Sequence, residues 1–277
     1  MKAVVQFSGG VGSWAAAKRT VERFGAENTT LLFADTLIED EDLYRFLDEA
    51  VANVGAELVR LCDGRTPWQV FRDVKFIANT RIDPCSAILK RDLLRRWIEE
   101  HCDPADTTVV LGIDWTEIHR LDRARPRWAP YELWGPMCDE PLMDKPDVLA
   151  WLADEDIGAP RLYAMGFPHN NCGGFCVKAG QAHFKLLLDK LPERYAEHEA
   201  EEEATRVFLS KDVSILRDRS QAGVAAYEAE HGALEGQVDK RVPLTLKRFR
   251  ERHQPRTPAV AALFDADEWG GCGCAID

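Results

Sequence analysis

The sequence has no long hydrophobic run. No window approaches the roughly 18–20 uninterrupted apolar residues a membrane helix needs. It also lacks a secretory leader. After Met1 and Lys2 the apolar stretch Ala3–Phe7 is too short and runs into glycines, so a cytoplasmic protein is expected. Positive charge is in deficit: 35 Lys and Arg stand against 47 Asp and Glu, a formal net charge of −12. That balance argues against coating nucleic acid through bulk charge. There is no internal repeat and no low-complexity segment. Cysteine is sparse, eight in 277 residues, too dilute for a disulfide scaffold in a chain long enough to build its own core. In a reducing compartment, clustered cysteines point instead to metal or redox chemistry.

What is present is an ordinary globular composition, 45 % apolar and 30 % charged, enough for one large domain or two small ones. The charge is unevenly spread. Residues 193–203 (ERYAEHEAEEE) are acidic. Residues 240–256 (KRVPLTLKRFRERHQPR) carry seven Lys and Arg against one Glu, and 119–127 (HRLDRARPR) four Arg against one Asp. Such runs are usually solvated faces, but they suit local phosphate contact with a tRNA or DNA partner.

Ala3–Phe7 (AVVQF) reads as a buried strand stopping at Ser8-Gly9-Gly10. Ser13–Phe24 has Trp14, Ala17, Val21 and Phe24 at helical spacing, closed by Gly25. Thr30–Ala34, Glu57–Leu61 and Thr107–Leu111 read as further strands. Between them, Asp40–Val54 and Ser86–His101 read as helices. Strands alternating with helices predict right-handed βαβ units, and so an α/β fold with a parallel sheet and helices on both faces. After residue 140 the strand signal fades, and Lys145–Asp156, Val177–Lys190 and Pro192–Leu209 look helical. A nucleotide-binding α/β domain over 1–190 and a mainly helical, basic extension over 191–277 are expected. No organisation is legible in 210–260.

The first strand–turn–helix contains Ser8-Gly9-Gly10-Val11-Gly12-Ser13. Its glycines let backbone N–H groups approach a ligand, and the following helix adds the positive end of its dipole. With the hydroxyls of Ser8 and Ser13 this makes a cradle for phosphate or pyrophosphate. It is not a Walker A loop, since Gly-Lys-Ser/Thr is absent, nor the Gly-x-Gly-x-x-Gly dinucleotide pattern.

Ser-Gly-Gly-x-x-Ser after a first strand resembles the PP-loop of the ATP pyrophosphatase superfamily, and further motifs resemble its phosphoadenosine phosphosulfate (PAPS) reductase-like branch. Phe33-Ala34-Asp35-Thr36 matches a nucleotide-contacting Asp-Thr, and Cys85 through Lys90 (CSAILK) a cysteine segment with its following lysine. Gly112 to Arg120 (GIDWTEIHR) matches a Gly…Glu-x-x-Arg segment. Pro141-Leu142-Met143-Asp144, Leu162-Tyr163, Gly166 and Cys172-Gly-Gly-Phe-Cys176 match a "PL-x-D … LY-x-x-G … cysteine pair" ending. The resemblance spans about residues 3–185. It implies an adenine nucleotide alpha-hydrolase-like fold that binds an adenine nucleotide, ATP with Mg²⁺, through Ser8, Gly9, Gly10, Gly12, Ser13, Asp35, Thr36, Gly112, Arg120 and Arg123. The chain departs from the family in four places. Gly12 replaces the usual acidic or lysine residue of the loop, and Ser86 stands for the second cysteine of a pair. The late pair is Cys-x3-Cys, and the tail is Cys272-Gly273-Cys274.

Thiolates hold iron–sulfur clusters, and Cys172 and Cys176 form a close pair in a glycine-containing loop, while Cys85 opens a helix whose dipole favours a thiolate. The resemblance implies that Cys85, Cys172 and Cys176 converge near the nucleotide; as ligands of a 4Fe–4S cluster they leave a fourth position for Cys274 or Cys272, a substrate atom or a non-cysteine residue. Zn²⁺ is the rival metal. Cys272, Cys274 and Lys90 are the candidate catalytic residues. The tail Cys-x-Cys has the chemistry either to close a metal site or to exchange disulfides and persulfide. Cys62, Cys102 and Cys138 are isolated and are expected to be buried as small hydrophobes. His169 and His183 flank the late pair, with structural roles the commoner fate of single histidines.

Three functions follow. The first is an ATP-using sulfurtransferase that adenylates a substrate, with a nucleic-acid acceptor and a sulfur donor as partners. The second is an adenylated-sulfate (PAPS/APS) reductase served by a thiol reductant protein. The third is a non-catalytic nucleotide- or cluster-binding module.

Overall fold

A computed structural model describes residues 1–232, 234 and 241–253. The chain divides into two compact units, one built from Met1–Pro67 and Cys85–Cys176, the other from Trp68–Pro84 and the described residues from Val177 onward.

The first unit is a five-stranded sheet in the order β3-β2-β1-β4-β5, parallel throughout. Its strands are β1 (Lys2–Gln6), β2 (Thr29–Asp35), β3 (Glu57–Cys62), β4 (Thr107–Leu111) and β5 (Glu132–Trp134). Its main helices are α1 (Val11–Phe24), α2 (Glu41–Val54), α3 (Asp92–His101), α4 (Ile118–Trp128) and α5 (Lys145–Asp154). The three central strands are apolar on both faces, as a sheet covered on both sides requires. Ala3, Val5, Leu31, Phe33 and Val110 pack on one side with Trp14, Phe46, Leu47 and Leu152 of α1, α2 and α5. Val4, Leu32, Val109 and Leu111 pack on the other with Leu94, Ile98, Leu121 and Ala124 of α3 and α4. The α/β fold with helices on both faces is as the residue pattern predicts.

Local signals set the boundaries. Asp40 caps α2, accepting from the Asp42 N–H at 3.0 Å, so it precedes the helix rather than opening it. Asp144 and Asp147 form a reciprocal capping box at the start of α5. The expected Ser86–His101 helix starts two residues earlier, as the turn Pro84–Ser86 and a π-helical segment Ala87–Arg91 that lead into α3. The strand β5 was not foreseen: three residues are too few to show a period, and pairing with β4 decides it.

The second unit contains the helix Pro67–Asp73, α6 (Gln181–Lys190), α7 (Pro192–Leu209), α8 (Gln221–His231) and α9 (Leu246–His253). It also holds an antiparallel pair, β6 (Leu216–Asp218) with β7 (Val242–Leu244). The segment the sequence left unorganised is therefore a small sheet with flanking helices. Glu202 of α7 is buried and accepts the backbone N–H of Ile215 at 3.0 Å and of Leu246 at 2.6 Å, joining α7, the residue before β6 and the start of α9. Tyr195 donates to the Leu246 carbonyl at 2.7 Å. No described helix is long and apolar enough to cross a membrane.

Candidate functional site

In a sheet ordered 3-2-1-4-5 the connections leave β1 and β4 in opposite directions, so the crevice at their carboxyl ends is the natural ligand site. A cleft of ≈ 150 Å³ lies there, lined by Val11 and Gly12 of α1, Gly112 after β4, Asp114, Met143, Asp144, Lys145 and Tyr163. The turn between β1 and α1 is built by its own hydroxyls and amides. Gly10 is the N-cap, and the N–H groups of Ser13 and Trp14 both return to its carbonyl, at 3.1 and 3.2 Å. The Ser13 hydroxyl donates to the same carbonyl at 2.7 Å, and the Ser8 hydroxyl to Ser13 Oγ at 3.4 Å. Ser13 thus spends its proton on the turn, a use the sequence did not separate from ligand binding. A Cβ on Gly112 would stand 3.0 Å from Ser13 Cα and 3.1 Å from the Gly12 carbonyl oxygen. Only glycine lets the end of β4 approach the first turn of α1 so closely.

Two residues to which the sequence reading gave no site role, Tyr163 of the Leu-Tyr motif and Lys145, shape this cleft. The Tyr163 hydroxyl accepts the Val11 N–H at 3.4 Å. Lys145, at the start of α5, places Nζ 4.2 Å from the Tyr163 ring centre and donates to the Pro168 carbonyl. Lys145 is an exposed residue, yet neighbouring atoms displace water from around its ammonium. This loss lowers its pKa below the usual lysine value, with Asp114 acting in the opposite sense. Gly12 gives the loop no charge of its own, and Lys145 brings a cation to the same cleft. Its only sequence signal is its place directly after the Pro-Leu-Met-Asp motif.

Asp35 and Thr36 end β2, both buried. The Asp35 carboxylate is fully engaged. It accepts from the Leu37 N–H at 2.8 Å, from the Tyr44 hydroxyl at 3.0 Å and from Arg60, whose Nε lies at 3.1 Å. Burial, with Asp35 beside it, pushes the Tyr44 hydroxyl up to about 12. The Thr36 hydroxyl donates to Glu39 at 2.8 Å. Arg120 is held by Glu117 at 2.5 Å, and Arg123 is exposed; neither lines the cleft. Of the expected nucleotide residues, Gly12 and Gly112 line it directly, and Ser8, Gly9, Gly10 and Ser13 form the turn that shapes it.

The cysteine loop is bonded to this turn. Asn170, 1 % exposed, donates through Nδ2 to the Gly9 carbonyl at 2.9 Å. Its Oδ1 is buried without a hydrogen-bond partner among the described residues. Two residues on, Cys172, Gly173 and Gly174 have φ of 53, 58 and 83° in succession. Cysteine rarely adopts this left-handed conformation, and the paired glycines make the loop affordable. Its anchor is Glu39, another residue the sequence reading missed. The Glu39 side chain, 1 % exposed, accepts from the Thr36 hydroxyl, from Lys90 Nζ at 3.3 Å and from the Cys172 backbone N–H. Lys90 Nζ also lies 3.8 Å from Cys172 Sγ. Lys90 comes from the π-helical segment, a distortion that often marks functional positions. The structure therefore brings Lys90 and Cys172 together through a carboxylate that carried no motif.

Cys85 and Cys172 are half-buried and Cys176 is buried. Among the described residues no group of three His, Cys, Asp or Glu side chains is arranged to hold a metal ion. Cys272 and Cys274 lie outside the described residues. Cys62 is exposed, contrary to the expectation of a core residue, because it ends the edge strand β3. Cys102 and Cys138 are half-buried, and burial raises both thiols above the usual range.

No protein-family model and no curated protein matches the chain. Solved structures similar to it include the U34-tRNA thiolase NcsA from Methanococcus maripaludis with its 4Fe–4S cluster. That similarity is at 16 % identity over 74 % of this chain and 73 % of that one, TM-score 0.45. Another is phosphoadenylyl-sulfate (PAPS) reductase from Candida auris in a phosphate complex, at 14 % identity over 60 % of this chain and 77 % of that one, TM-score 0.42. A third is the NH3-dependent NAD synthetase from Campylobacter jejuni, at 14 % identity over 76 % and 84 %, TM-score 0.39.

Proposed function

We infer that the chain is an ATP-dependent sulfurtransferase that activates an oxygen of its acceptor by adenylation. The observation that carries this reading is the hydrogen bond from Asn170 to the Gly9 carbonyl. It ties a cysteine loop to the turn of a phosphate cradle, so sulfur chemistry and nucleotide chemistry share one end of one sheet. The N–H groups at the start of α1 and the Lys145 ammonium would hold the triphosphate, with Mg²⁺ arriving on the nucleotide. The acceptor oxygen attacks the α-phosphorus and pyrophosphate leaves. A sulfur nucleophile then attacks the activated carbon, and AMP leaves with the oxygen. A persulfide donor outside the chain would supply the sulfur: the Cys172 thiolate, beside Lys90, attacks its outer sulfur and the donor thiolate leaves. The Cys172 persulfide is then the nucleophile at the activated carbon. An external thiol releases the product from the resulting disulfide, and a second thiol restores Cys172 as the two external thiols leave oxidised to their disulfide. A nucleic-acid base is the acceptor class suited to the local basic segments.

Two assays separate this reading from its rivals: pyrophosphate release from ATP with a tRNA acceptor, and sulfite release from adenylated sulfate with a thiol reductant. Pyrophosphate release that needs acceptor, with retention of sulfur in the product, is expected. Cys172→Ser should abolish sulfur incorporation while leaving ATP binding intact. Sulfite release without ATP consumption would identify a reductase, and neither activity a binding module. Iron and sulfide assayed after anaerobic purification decide whether the cysteines, with the tail, assemble a cluster.

Lys145→Met tests the cleft. Loss of a charge-assisted contact of about 1.5–3 kcal/mol predicts ATP binding weaker by roughly tenfold to a hundredfold. An unchanged Kd in calorimetry would remove Lys145 from the site.

A further inference from the structure

The N–H groups of Gly10, Val11, Gly12 and Ser13 open α1, and none has an acceptor four residues back in the helix. Two of them are already spent. The Val11 N–H meets the Tyr163 hydroxyl at 3.4 Å, and the Ser13 N–H returns to the Gly10 carbonyl at 3.1 Å. Among the described residues no acceptor is found for the N–H groups of Gly10 and Gly12.

The Gly10 N–H belongs to the Gly9–Gly10 peptide, whose carbonyl and N–H point in opposite directions across a trans bond. The local backbone does not fix which of the two meets a ligand. Reversing the peptide would turn φ of Gly10, −104° here, by about 180° into the left-handed region, which glycine enters at little cost. Gly9, on the other side, is equally permissive and already has φ of 75°. A reversed peptide would present a carbonyl oxygen to an incoming phosphate, and the two would repel.

The determinant comes from far along the chain. Asn170 donates through Nδ2 to the Gly9 carbonyl at 2.9 Å. That oxygen can only accept, so the nitrogen of the amide must face it, and the Gly10 N–H is turned to the side away from Asn170. Asn170 is anchored on both flanks. Pro168, two residues before it, accepts from Lys145, and Cys172, two residues after it, donates its N–H to Glu39. The Asn170 side chain is 1 % exposed, and its Oδ1 is buried with no hydrogen-bond partner among the described residues. A polar atom buried in that way costs stability. What the side chain gives in return is its one bond to Gly9.

We propose that Asn170 is a positioning residue of the phosphate site, whose amide holds the Gly9–Gly10 peptide with the Gly10 N–H turned to a nucleotide phosphate. This role rests on the reading of the β1–α1 turn as an ATP cradle, and it names the side chain that keeps the cradle in its binding form. It also makes that form depend on the loop that carries Cys172.

The test is an NMR titration of the full chain, with the Gly10 amide assigned and with ATP and adenosine as probes. In the wild type, ATP should shift the Gly10 amide proton downfield and adenosine should leave it in place. Asn170→Leu keeps roughly the volume of the side chain and removes its donor. It should weaken ATP binding by roughly tenfold to a hundredfold, the worth of one hydrogen bond to a charged group, and change adenosine binding by less than about twofold. A packing defect would weaken both ligands alike, and that result overturns the proposal. So does unchanged ATP affinity in the variant, or a Gly10 amide that ignores bound ATP. The last measurement needs no variant and decides the matter should Asn170→Leu fail to fold. Each of these failures leaves the ATP cradle standing. A wild type that binds ATP no more tightly than adenosine removes the cradle itself, and the role of Asn170 with it.

Discussion

Replacing Glu39 by alanine is expected to destabilise the first unit by about 3–5 kcal/mol and to abolish sulfur transfer. The side chain is 1 % exposed, and Lys90, its partner at 3.3 Å, is 12 % exposed. Removing the carboxylate strips that ammonium of its counter-charge in a site with little water to replace it. The Thr36 hydroxyl and the Cys172 N–H lose an acceptor at the same time. Each buried donor left without an acceptor costs about 1–3 kcal/mol. The chemical consequence is separable from the energetic one. In the double variant Glu39→Gln with Lys90→Met no buried charge is stranded, so most of the stability should return. Activity should not, because the Cys172 loop has lost its carboxylate anchor and its thiol the adjacent cation. Urea midpoints and sulfur incorporation, measured on the same preparations, check both halves. A Glu39→Ala midpoint matching wild type would sink the assignment of Glu39 as the anchor of the cysteine loop.

The second unit should show a stability plateau between about pH 4.5 and pH 6.5, set by two buried groups on α7. Burial lowers His198 from 6.5 to about 3, with Arg194 adding to the effect. The ring is neutral and Nδ1 accepts the Trp68 indole N–H at 3.0 Å, a bond a protonated ring would forbid. Below pH 6.5 the unfolded chain takes up a proton that the folded one refuses. The His198 contribution is therefore complete above pH 6.5 and is lost as pH falls towards 3. Glu202 runs the other way. Burial raises it from 4.5 to about 7, against the two backbone N–H groups that favour its charge. The folded state keeps a proton the unfolded chain releases, so its contribution is complete below pH 4.5 and is lost as pH rises to 7. One pKa unit corresponds to about 1.4 kcal/mol, making each limb worth on the order of 3 kcal/mol. Between the two reference values the slopes oppose and cancel. Thermal melts across pH 3.5–8.5 should reveal this in the variants. His198→Phe should lose stability steadily from pH 4.5 to 7, and Glu202→Gln should gain it from pH 3.5 to 6.5. Difference curves that are flat in both variants would contradict the placement of these groups.

The strands β1, β2 and β4 were legible because each is a short apolar run bounded by a helix start or a glycine. The reading of α7 as Pro192–Leu209 matched residue for residue. Asp40 was read as part of its helix and proves to be its N-cap, and the cap at Asp144 was not singled out. The interleaving of the two units was not legible, since Trp68–Pro84 carries no composition shift that assigns it to the residues after Cys176. Nor was β6–β7, whose partners lie more than twenty residues apart.

The turn between β1 and α1 was determined by the sequence alone, because its requirements are local: glycines for a sharp turn, and a helix immediately after. Lys90 and Cys172 were each marked by the ordered motifs, but their pairing was not foreseen. The residues that hold them in place were decided by tertiary structure. Glu39, Asn170 and Lys145 belong to no motif by residue type, Tyr163 belongs to one that assigns it no partner, and the four act across 18 to 161 residues of chain. A carboxylate, a hydroxyl, an amide and an ammonium acquire their roles only from what faces them and how little water remains. The same reasoning separates Asp35, which the motif order marks for a nucleotide, from its place in the fold, where Arg60 and Tyr44 already occupy it. Periodicity and turn chemistry select the scaffold because they act between near neighbours. The partners of a buried charge depend on the whole packing.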